Sequence, residues 1–459
     1  MNASPAVPRA EQRLWGHPKG LLFLAMTEMW ERFSFYGMRT MLVLYMVQDL
    51  LLSGRIGDVA GMDGYRRVVE GIFGELSTQA FASQTFGLYA GFVYFTPLFG
   101  GLLADRWLGA RRVVMIGIAL MTLGHFAMAF DVSFLLALLL LVIGSGCLKG
   151  NIAAQVGHLY ERHEETLRSK GYAIFSTGIN VGATIGPLVC GLLAQLYGWH
   201  VGFGVAGLFM LIAAIVYFTG LKYFAEDRAV PPAGESHPPL TPNEWKMIGL
   251  VICVLVITMC QSFAYEQLFN VGMLWVDERV ELAFGGFTVP TPWLASEDSL
   301  ASVIALPMLL AIWAWQATRG GEPGDFAKIA TGAIIMACSS GMLALGALST
   351  PDGKVSILFP LAAFFLSGIA FMYQWPTALA LVSRRAPRKI NALMMAGAYL
   401  TLFVVGIGAG YIARFYEPLG DMAFWVLQAG ISAAGAVLVL LFGGPIRRRM
   451  DALEAVTVP

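Results

Sequence analysis

The chain has 459 residues, of which 57% are hydrophobic and only 13% are charged, and its formal net charge is zero. An ordinary soluble domain contains about 25% charged residues, so this composition excludes a typical water-soluble protein. The mean hydropathy of +0.67 favours lipid as the surrounding solvent. The neutral net charge gives no indication of a nucleic-acid partner.

Twelve apolar stretches are long enough to cross a bilayer. A hydrocarbon core of about 30 Å requires about 20 apolar residues in a helix. The stretches that meet this requirement are residues 21–50, 78–103, 112–130, 133–158, 170–197, 201–224, 245–276, 298–318, 327–349, 355–383, 390–415 and 420–443. The sequence therefore predicts an all-α membrane protein with twelve transmembrane helices.

A segment rich in proline and charge divides these spans into two groups of six. Residues 226–243 include Asp227, Arg228 and several prolines, a composition typical of a linker. A six-plus-six division is typical of a two-bundle secondary transporter. We therefore predict a cytoplasmic tail (1–20), an N-terminal six-helix bundle (21–224), a cytoplasmic linker (225–244), a C-terminal six-helix bundle (245–446) and a second cytoplasmic tail (447–459).

Positive charge is distributed unevenly between the predicted loops. Most of the 30 Lys and Arg residues lie in segments on the same side as the two termini, and within the spans we find Arg32, Arg39 and Lys149. Cytoplasmic loops carry an excess of Lys and Arg. We therefore predict a multi-pass protein of the cell (inner) membrane, embedded in the lipid bilayer, with both termini in the cytoplasm.

The first span contains four charged residues. At 100° per residue, Glu28, Glu31, Arg32 and Arg39 fall on one face of a helix. A charge at bilayer depth costs at least about 2.5–3.5 kcal/mol, so this face is expected to line water or other polar groups. One interpretation is a substrate or proton site, and the alternative is an ion-pair lattice that only packs helices.

Two further charges lie inside later spans. Lys149 lies in the fourth span among small residues, and a Lys at this depth requires a carboxylate, for which the acids of the first span are candidates. Glu266 is the only acid that the sequence places well inside a span of the second half. It is interpreted as a group that takes up and releases a proton, and the alternative is a fixed salt bridge.

Three other polar features each have two interpretations. Asp298 opens the predicted eighth span, where an acid is either a functional group or a helix cap. Asn180 points away from the glycine-rich face of the fifth span and is a candidate cavity residue. Asp105 and Arg106, in the loop after the second span, form either a gate at the inner helix ends or a simple positive-inside anchor.

Enzyme signatures are missing from the sequence. The five cysteines have no metal-ligand spacing, and the short motifs of metalloproteases, serine hydrolases and phosphate-binding loops do not occur. We therefore predict no enzymatic activity, no catalytic residues, no metal and no cofactor. A receptor without transport activity is the remaining alternative outside the transporters.

Several motifs resemble those of a known family. The segment from Glu28 to Arg39, Glu-Met-Trp-Glu-Arg-Phe-Ser-Phe-Tyr-Gly-Met-Arg, resembles the first-helix signature of proton-dependent oligopeptide transporters. The Asp105-Arg106 loop is similar to the signature of the major facilitator superfamily, to which that family belongs. Segments around Lys149 and Asn180 resemble the family's fourth- and fifth-helix motifs. The resemblance implies the major facilitator fold and covers nearly the whole chain.

The resemblance also implies roles for individual residues. Coupling of proton to peptide is implied for Glu28, Glu31, Arg32, Lys149 and Glu266. Pairing of Arg39 with Glu266 would close the outer gate. The implied substrate-binding set is Arg32, Phe35, Tyr36, Arg39, Tyr94, Lys149, Asn180, Glu266, Asp298, Phe371 and Tyr399.

Four positions depart from the family pattern. Phe35 replaces a second Tyr, Asp298 replaces an Asn, Phe371 replaces the Glu that receives the peptide's amino terminus, and Tyr399 replaces a Trp. The two extra inter-bundle helices of many bacterial members are also missing. We expect a monomeric proton-coupled symporter that imports di-/tripeptides or peptide-like compounds by alternating access, with the proton as coupling ion. The alternative is a proton-coupled carrier of a non-peptide solute, such as a drug-like molecule or organic anion.

Overall fold

The computed structural model describes residues 13–161, 163–224, 239–351 and 353–457. Most of the predicted N-terminal tail and of the predicted linker, with Arg228, therefore lies outside the described residues. Two short antiparallel hairpins pair β1 (Arg13–Leu14) with β2 (His17–Pro18) and β3 (Ala283–Phe284) with β4 (Phe287–Thr288). The rest of the described chain is almost entirely helical.

The α-helices of the described residues follow one another with short connections. In chain order they are α1 (Lys19–Tyr45), α2 (Met62–Phe73), α3 (Thr78–Phe95), α4 (Pro97–Leu103), α5 (Ala110–Ala127), α6 (Phe134–His158), α7 (Glu165–Tyr197), α8 (Trp199–Gly220), α9 (Pro242–Phe269), α10 (Val271–Arg279), α11 (Pro292–Ala317), α12 (Asp325–Ser349), α13 (Leu358–Arg385), α14 (Asn391–Ala413), α15 (Tyr416–Leu419) and α16 (Asp421–Thr457). Single π-helical turns extend α1 over Met46–Leu50 and α4 over Ala104–Leu108.

Twelve long helical segments correspond to the predicted spans. Within the described chain, eleven helices are long and apolar enough to cross a membrane, α3 and α4 counting as one segment, Thr78–Leu108. The twelfth is α1, whose buried charges lower its apolar character. The shorter helices α2 and α10 are additional to the spans. The predicted all-α membrane fold with twelve spans is confirmed.

The connection between α8 and α9 contains no room for two further spans. The chain from Leu221 to Thr241 begins with a 3₁₀ turn, Leu221–Tyr223, and one membrane helix alone needs about 20 residues. The next helix begins sharply at Pro242, because Thr241 and Glu244 form a reciprocal capping box around it.

The first compact unit contains the described residues up to Met41, Gly57–Met62, and the described residues from Phe95 to Phe224. In it α5 packs against α6 and α8, and α4 packs against α6. Close approach between α4 and α6 depends on Gly100, because a Cβ there would collide with the carbonyl of Gly146. Gly100 of α4 and Gly146 of α6 therefore let these two helices pack closely, next to the part of α6 that contains Lys149.

The second compact unit contains Leu42–Ile56, Asp63–Tyr94 and the described residues after residue 238. Its apolar core is built mainly from α9, α12, α13, α14 and α16. Helix α3 packs on α14 through facing glycines, since a Cβ on Gly87 would lie 2.5 Å from the carbonyl oxygen of Gly406. Each compact unit combines segments that are not consecutive in the sequence. The predicted domain boundaries stay a prediction.

Candidate transport site

The charged face of α1 forms a buried ion-pair cluster in the first unit. Arg32 places its Nε 2.8 Å from Oε1 of Glu28 and 2.7 Å from Oε2 of Glu31. Glu28, Glu31, Arg32 and Arg39 are each at most 7% exposed. Two carboxylates thus share one guanidinium, which offsets part of the cost of removing these charges from water.

Helix α7 fixes the position of this face. Its Gly178, Gly182 and Gly186 lie against the backbone of α1, and a Cβ on Gly182 or Gly186 would collide with the carbonyl of Met29 or Phe33. Small residues at this spacing let two helices approach closely in a membrane. The glycine-rich face recognised in the sequence therefore holds the charged turn of α1 in place.

Lys149 of α6 reaches the same cluster. Its Nζ lies 4.4 Å from the ring centroid of Phe35, and Cζ of Arg32 lies 5.5 Å from the same centroid. Lys149 also interacts electrostatically with Glu31 and Glu28. Phe35, which is 3% exposed, therefore presents the face of its ring to two cationic side chains. The spacing of residues in the sequence did not predict this cation–π contact.

The remaining first-unit residues of the predicted site differ in their surroundings. Tyr36 is half-buried and packs edge-on against Phe35, with ring centroids 5.2 Å apart. Asn180 is half-buried, and its backbone carbonyl accepts a hydrogen bond from Thr184. Asp105 and Arg106 are exposed in the π-helical turn and form no ion pair with a described residue. Their predicted gate function stays a prediction.

Asp298 lies inside α11 rather than at its start. The helix begins at Pro292, a residue suited to the first helical position, so the interpretation of Asp298 as a helix cap is wrong. Its buried carboxylate accepts hydrogen bonds from Tyr265 Oη at 2.8 Å and Ser367 Oγ at 2.6 Å. Because Asp298 is a buried acid within a span, Glu266 is not the only such acid of the second half.

The remaining second-unit residues of the predicted site are three aromatic residues and one acid. Phe371 stacks on Tyr265 with centroids 5.4 Å apart, and Tyr399 packs edge-on against Trp375 at 5.4 Å. Glu266, in α9 beside Tyr265, is 7% exposed. Tyr94 is half-buried in α3.

Sequence reasoning missed two residues of the Asp298 cluster, Tyr265 and Ser367. Tyr265 directly precedes Glu266, so its position next to a predicted site residue could have identified it. Ser367 lies one helical turn before Phe371 on α13, but a serine in a span carries no signal by itself. The predicted Arg39–Glu266 pair joins residues described in different units and stays a prediction.

Comparisons with known proteins agree on one family. The model of the Major Facilitator Superfamily matches residues 31–411. The chain is 28% identical to a di-/tripeptide transporter of Lactococcus lactis subsp. cremoris, over 96% of this chain and 98% of that protein. It is 26% identical to an uncharacterized transporter, YclF, of Bacillus subtilis (strain 168), over 96% of each chain.

A solved structure has the same architecture over nearly its whole length. The crystal structure of a mutant peptide transporter POT in complex with alafosfalin matches with a TM-score of 0.84 and 25% identity, covering 96% of this chain and 97% of that one. The chain therefore belongs to the Major Facilitator Superfamily, a superfamily of transporters rather than enzymes, and its resemblance to the proton-dependent oligopeptide transporter family is confirmed.

Proposed function

We propose that the chain is a proton-coupled symporter that imports di-/tripeptides or peptide-like compounds by alternating access. The proton is the coupling ion and no cofactor takes part. The protein acts as a monomer in the cell membrane, with both termini in the cytoplasm.

The observation that carries this proposal is the buried cluster of Glu28, Glu31, Arg32 and Lys149. A substrate carboxylate that enters this region competes with Glu31 and Glu28 for the same cations. When it wins, a Glu loses its counter-charge and is better accommodated as the neutral acid, because a buried unpaired carboxylate is costly. Substrate binding and proton uptake therefore favour each other, which is the coupling that symport requires.

Peptide-like substrates are supported by two considerations. Relatives over the full length of the chain are named di-/tripeptide and peptide transporters. The second is the buried carboxylate of Asp298, which accepts hydrogen bonds from Tyr265 and Ser367. Its negative charge suits the ammonium group of a peptide and compensates for Phe371, which replaces the usual acid.

Uptake of radiolabelled dialanine into proteoliposomes tests the proposal. An inward proton gradient is expected to accelerate uptake at least tenfold, and Glu266→Gln is expected to remove most of that acceleration. The matched control is Glu75→Gln, an exposed acid of a predicted outer loop. Equal uptake with and without the gradient in the wild-type protein would refute proton coupling.

A second candidate function is proton-coupled transport of a non-peptide solute. The observation that favours it is the apolar Phe371 stacked on Tyr265, which makes this region suited to an amphipathic molecule. Thermal stabilisation by a panel of dipeptides and their amino-acetylated analogues separates the two, since bound ligands raise apparent stability. Equal stabilisation by free and acetylated peptides would favour the second function.

A further inference from the structure

Helix α2 follows the first span on the side predicted to face outward, and none of its residues belongs to the candidate transport site. It contains 12 residues, Met62–Phe73. A helix that crosses a bilayer needs about 20 residues, so α2 lies outside the membrane-spanning part of the chain.

The residues of α2 divide into a polar side and an apolar side. At about 100° per residue, Val68 and Ile72 lie one turn apart on the side that also carries Val69. Asp63 and Arg67 lie one turn apart on the far side. This arrangement is typical of an amphipathic helix at a boundary between water and an apolar medium.

The protein covers only part of the apolar side. Val69 is 2% exposed, and Tyr65 packs edge-on against Phe81 of α3 with ring centroids 5.8 Å apart. Val68 and Ile72, in contrast, are 62% and 71% exposed. Two large apolar side chains on adjacent turns therefore face away from the protein.

Contacts of Arg66 fix the rotation of α2 about its own axis. Its Nε donates to Glu70 Oε1 at 2.9 Å, and its Nη2 donates to the backbone carbonyl of Leu76 at 3.2 Å. Its Cζ also lies 5.1 Å from the ring centroid of Phe81, within the range of a cation–π contact. A rotation of α2 that buried its exposed apolar residues against the protein would break these contacts.

The C-terminal end of α2 is attached to the predicted outer end of α14. Arg414 donates from Nη1 to the carbonyl of Phe73 at 2.7 Å and from Nη2 to the carbonyl of Glu75 at 3.3 Å. A cation at the carbonyl end of a helix is favourable. The rings of Phe73 and Tyr411 also lie against each other, with centroids 6.4 Å apart. The depth of α14 in the membrane therefore sets the depth of α2.

Helix α14 presents exposed apolar side chains beside this attachment. Val404 and Tyr411 are exposed on one face of the helix, and Phe415 follows at its end, with the rings of Tyr411 and Phe415 6.0 Å apart. Because α14 is long and apolar enough to cross a membrane, lipid is the expected neighbour of this face. Tyr side chains are enriched at the level of the lipid headgroups, so the contact with Tyr411 places Phe73 and the preceding Ile72 at that level.

We propose that α2 is an interfacial helix whose Val68 and Ile72 insert into the outer leaflet, at the boundary between the phospholipid headgroups and the acyl chains. Amphipathic helices lie in this plane with the apolar face buried by about 5–10 Å. Asp63 and Arg67 then face the water. The partner of this surface is phospholipid, and the proposal is independent of which solute the protein transports.

Photo-crosslinking of the full-length protein in phosphatidylcholine liposomes tests this assignment. Val68 or Ile72 is replaced by p-benzoyl-L-phenylalanine, which inserts into nearby C–H bonds on irradiation, and intact mass spectrometry detects a covalently attached phospholipid. The matched controls carry the same replacement at Asp63 or Arg67, which have the same spacing on the far side. The yield of lipid adduct is expected to be at least about fivefold higher at Val68 and Ile72 than at the controls. All four positions are exposed, and the thermal unfolding midpoint checks that each variant is folded.

A reciprocal experiment needs no substitution. The wild-type protein is irradiated in liposomes that contain a phospholipid with a diazirine near the ester end of its acyl chain, and tandem mass spectrometry locates the label. We expect label on Val68 or Ile72 and none on Asp63 or Arg67. Equal adduct yields at test and control positions, absence of lipid adduct at Val68 and Ile72, a covalent protein dimer as the main product there, or wild-type label confined to the membrane spans would overturn the proposal.

Discussion

The α1 cluster of the first unit and the Asp298 cluster of the second unit stabilise buried carboxylates by different means. Glu28 and Glu31 share the guanidinium of Arg32. Asp298 instead receives hydrogen bonds from two neutral hydroxyl groups, Tyr265 and Ser367. An ion-paired carboxylate changes its protonation when its cation is taken by another anion, whereas hydrogen bonds from neutral hydroxyl groups add no positive charge to a carboxylate. We propose that the first cluster drives transport and the second selects the substrate.

The largest effect is expected for Lys149→Gln, which removes a base from the α1 cluster. Breaking a buried charge arrangement costs about 3–5 kcal/mol, so gradient-driven dialanine uptake should fall by more than about a hundredfold. The matched control, Lys246→Gln, changes an exposed Lys at the start of α9. Uptake of Lys149→Gln within threefold of the control would remove Lys149 from the coupling cluster.

Glycine contacts test whether the two units depend equally on close helix packing. Gly182→Ala in the first unit and Gly87→Ala in the second introduce a Cβ into the backbone of a neighbouring helix. Each should lower the free energy of unfolding by about 1–3 kcal/mol, measured by thermal unfolding in nanodiscs.

The controls for this pair are helical glycines with open space around them. Gly204→Ala and Gly249→Ala have nothing within 4 Å of the added Cβ. Each should be neutral or stabilising, because alanine is the better helix former. Destabilisation of all four variants to the same degree would show that the interhelical contacts are not the cause.

A smaller and selective effect is expected for Asp298→Asn. Loss of the negative charge should weaken the affinity for dialanine about tenfold, equivalent to about 1.4 kcal/mol, because the ammonium group loses its counter-charge. Affinity for N-acetyl-dialanine should be unchanged, and so should the acceleration of uptake by the proton gradient. An equal loss for both compounds would assign Asp298 a structural role.

The smallest effect concerns the peripheral ion pair of the first unit, Arg13 with Glu164, at 2.6 Å. The hydrogen bond from Arg13 is the main cause that lowers the pKa of Glu164. The pair should therefore stabilise the protein by about 0.2–1 kcal/mol above the unfolded pKa of about 4.3. That stabilisation is lost as the pH falls through the lowered pKa of the folded state.

Thermal unfolding of the wild-type protein and Glu164→Gln checks this. The wild-type protein should unfold at a higher temperature at pH 7, and the difference should vanish as the pH falls through the lowered pKa of Glu164 in the folded state. A difference that grows on acidification would contradict the assigned direction. Thermal unfolding of Lys149→Gln at pH 7 then shows how much burial strengthens a charge contact in the same unit.

Local patterns were sufficient to predict the spans and the charged face of α1. Glu28 and Arg32 are one helical turn apart, so their pairing follows from helix geometry. Contacts between segments that are far apart in the sequence could not be predicted from local patterns. Ser367 and Asp298 are 69 residues apart, and nothing in either local sequence specifies that they meet.

One error and one missed contact have local physical causes. Hydropathy placed the start of the eighth span at Asp298, because the polar residues before it obscure the helix start that Pro292 sets. Phe35 departs from the family pattern and belongs to the predicted site, but its contact with Arg32 and Lys149 through the face of the ring was not predicted. Ring contacts of this kind depend on tertiary structure and were not predictable from spacing.

The most direct test of the division between driving and selecting clusters measures proton movement itself. Proteoliposomes that contain a pH-sensitive dye are exposed to external dialanine, and internal acidification is recorded for the wild-type protein, Glu31→Gln and Asp298→Asn. We predict dialanine-dependent acidification in the wild-type protein, none in Glu31→Gln, and acidification restored at higher dialanine concentration in Asp298→Asn. Wild-type acidification in Glu31→Gln would contradict the assignment of proton coupling to the α1 cluster.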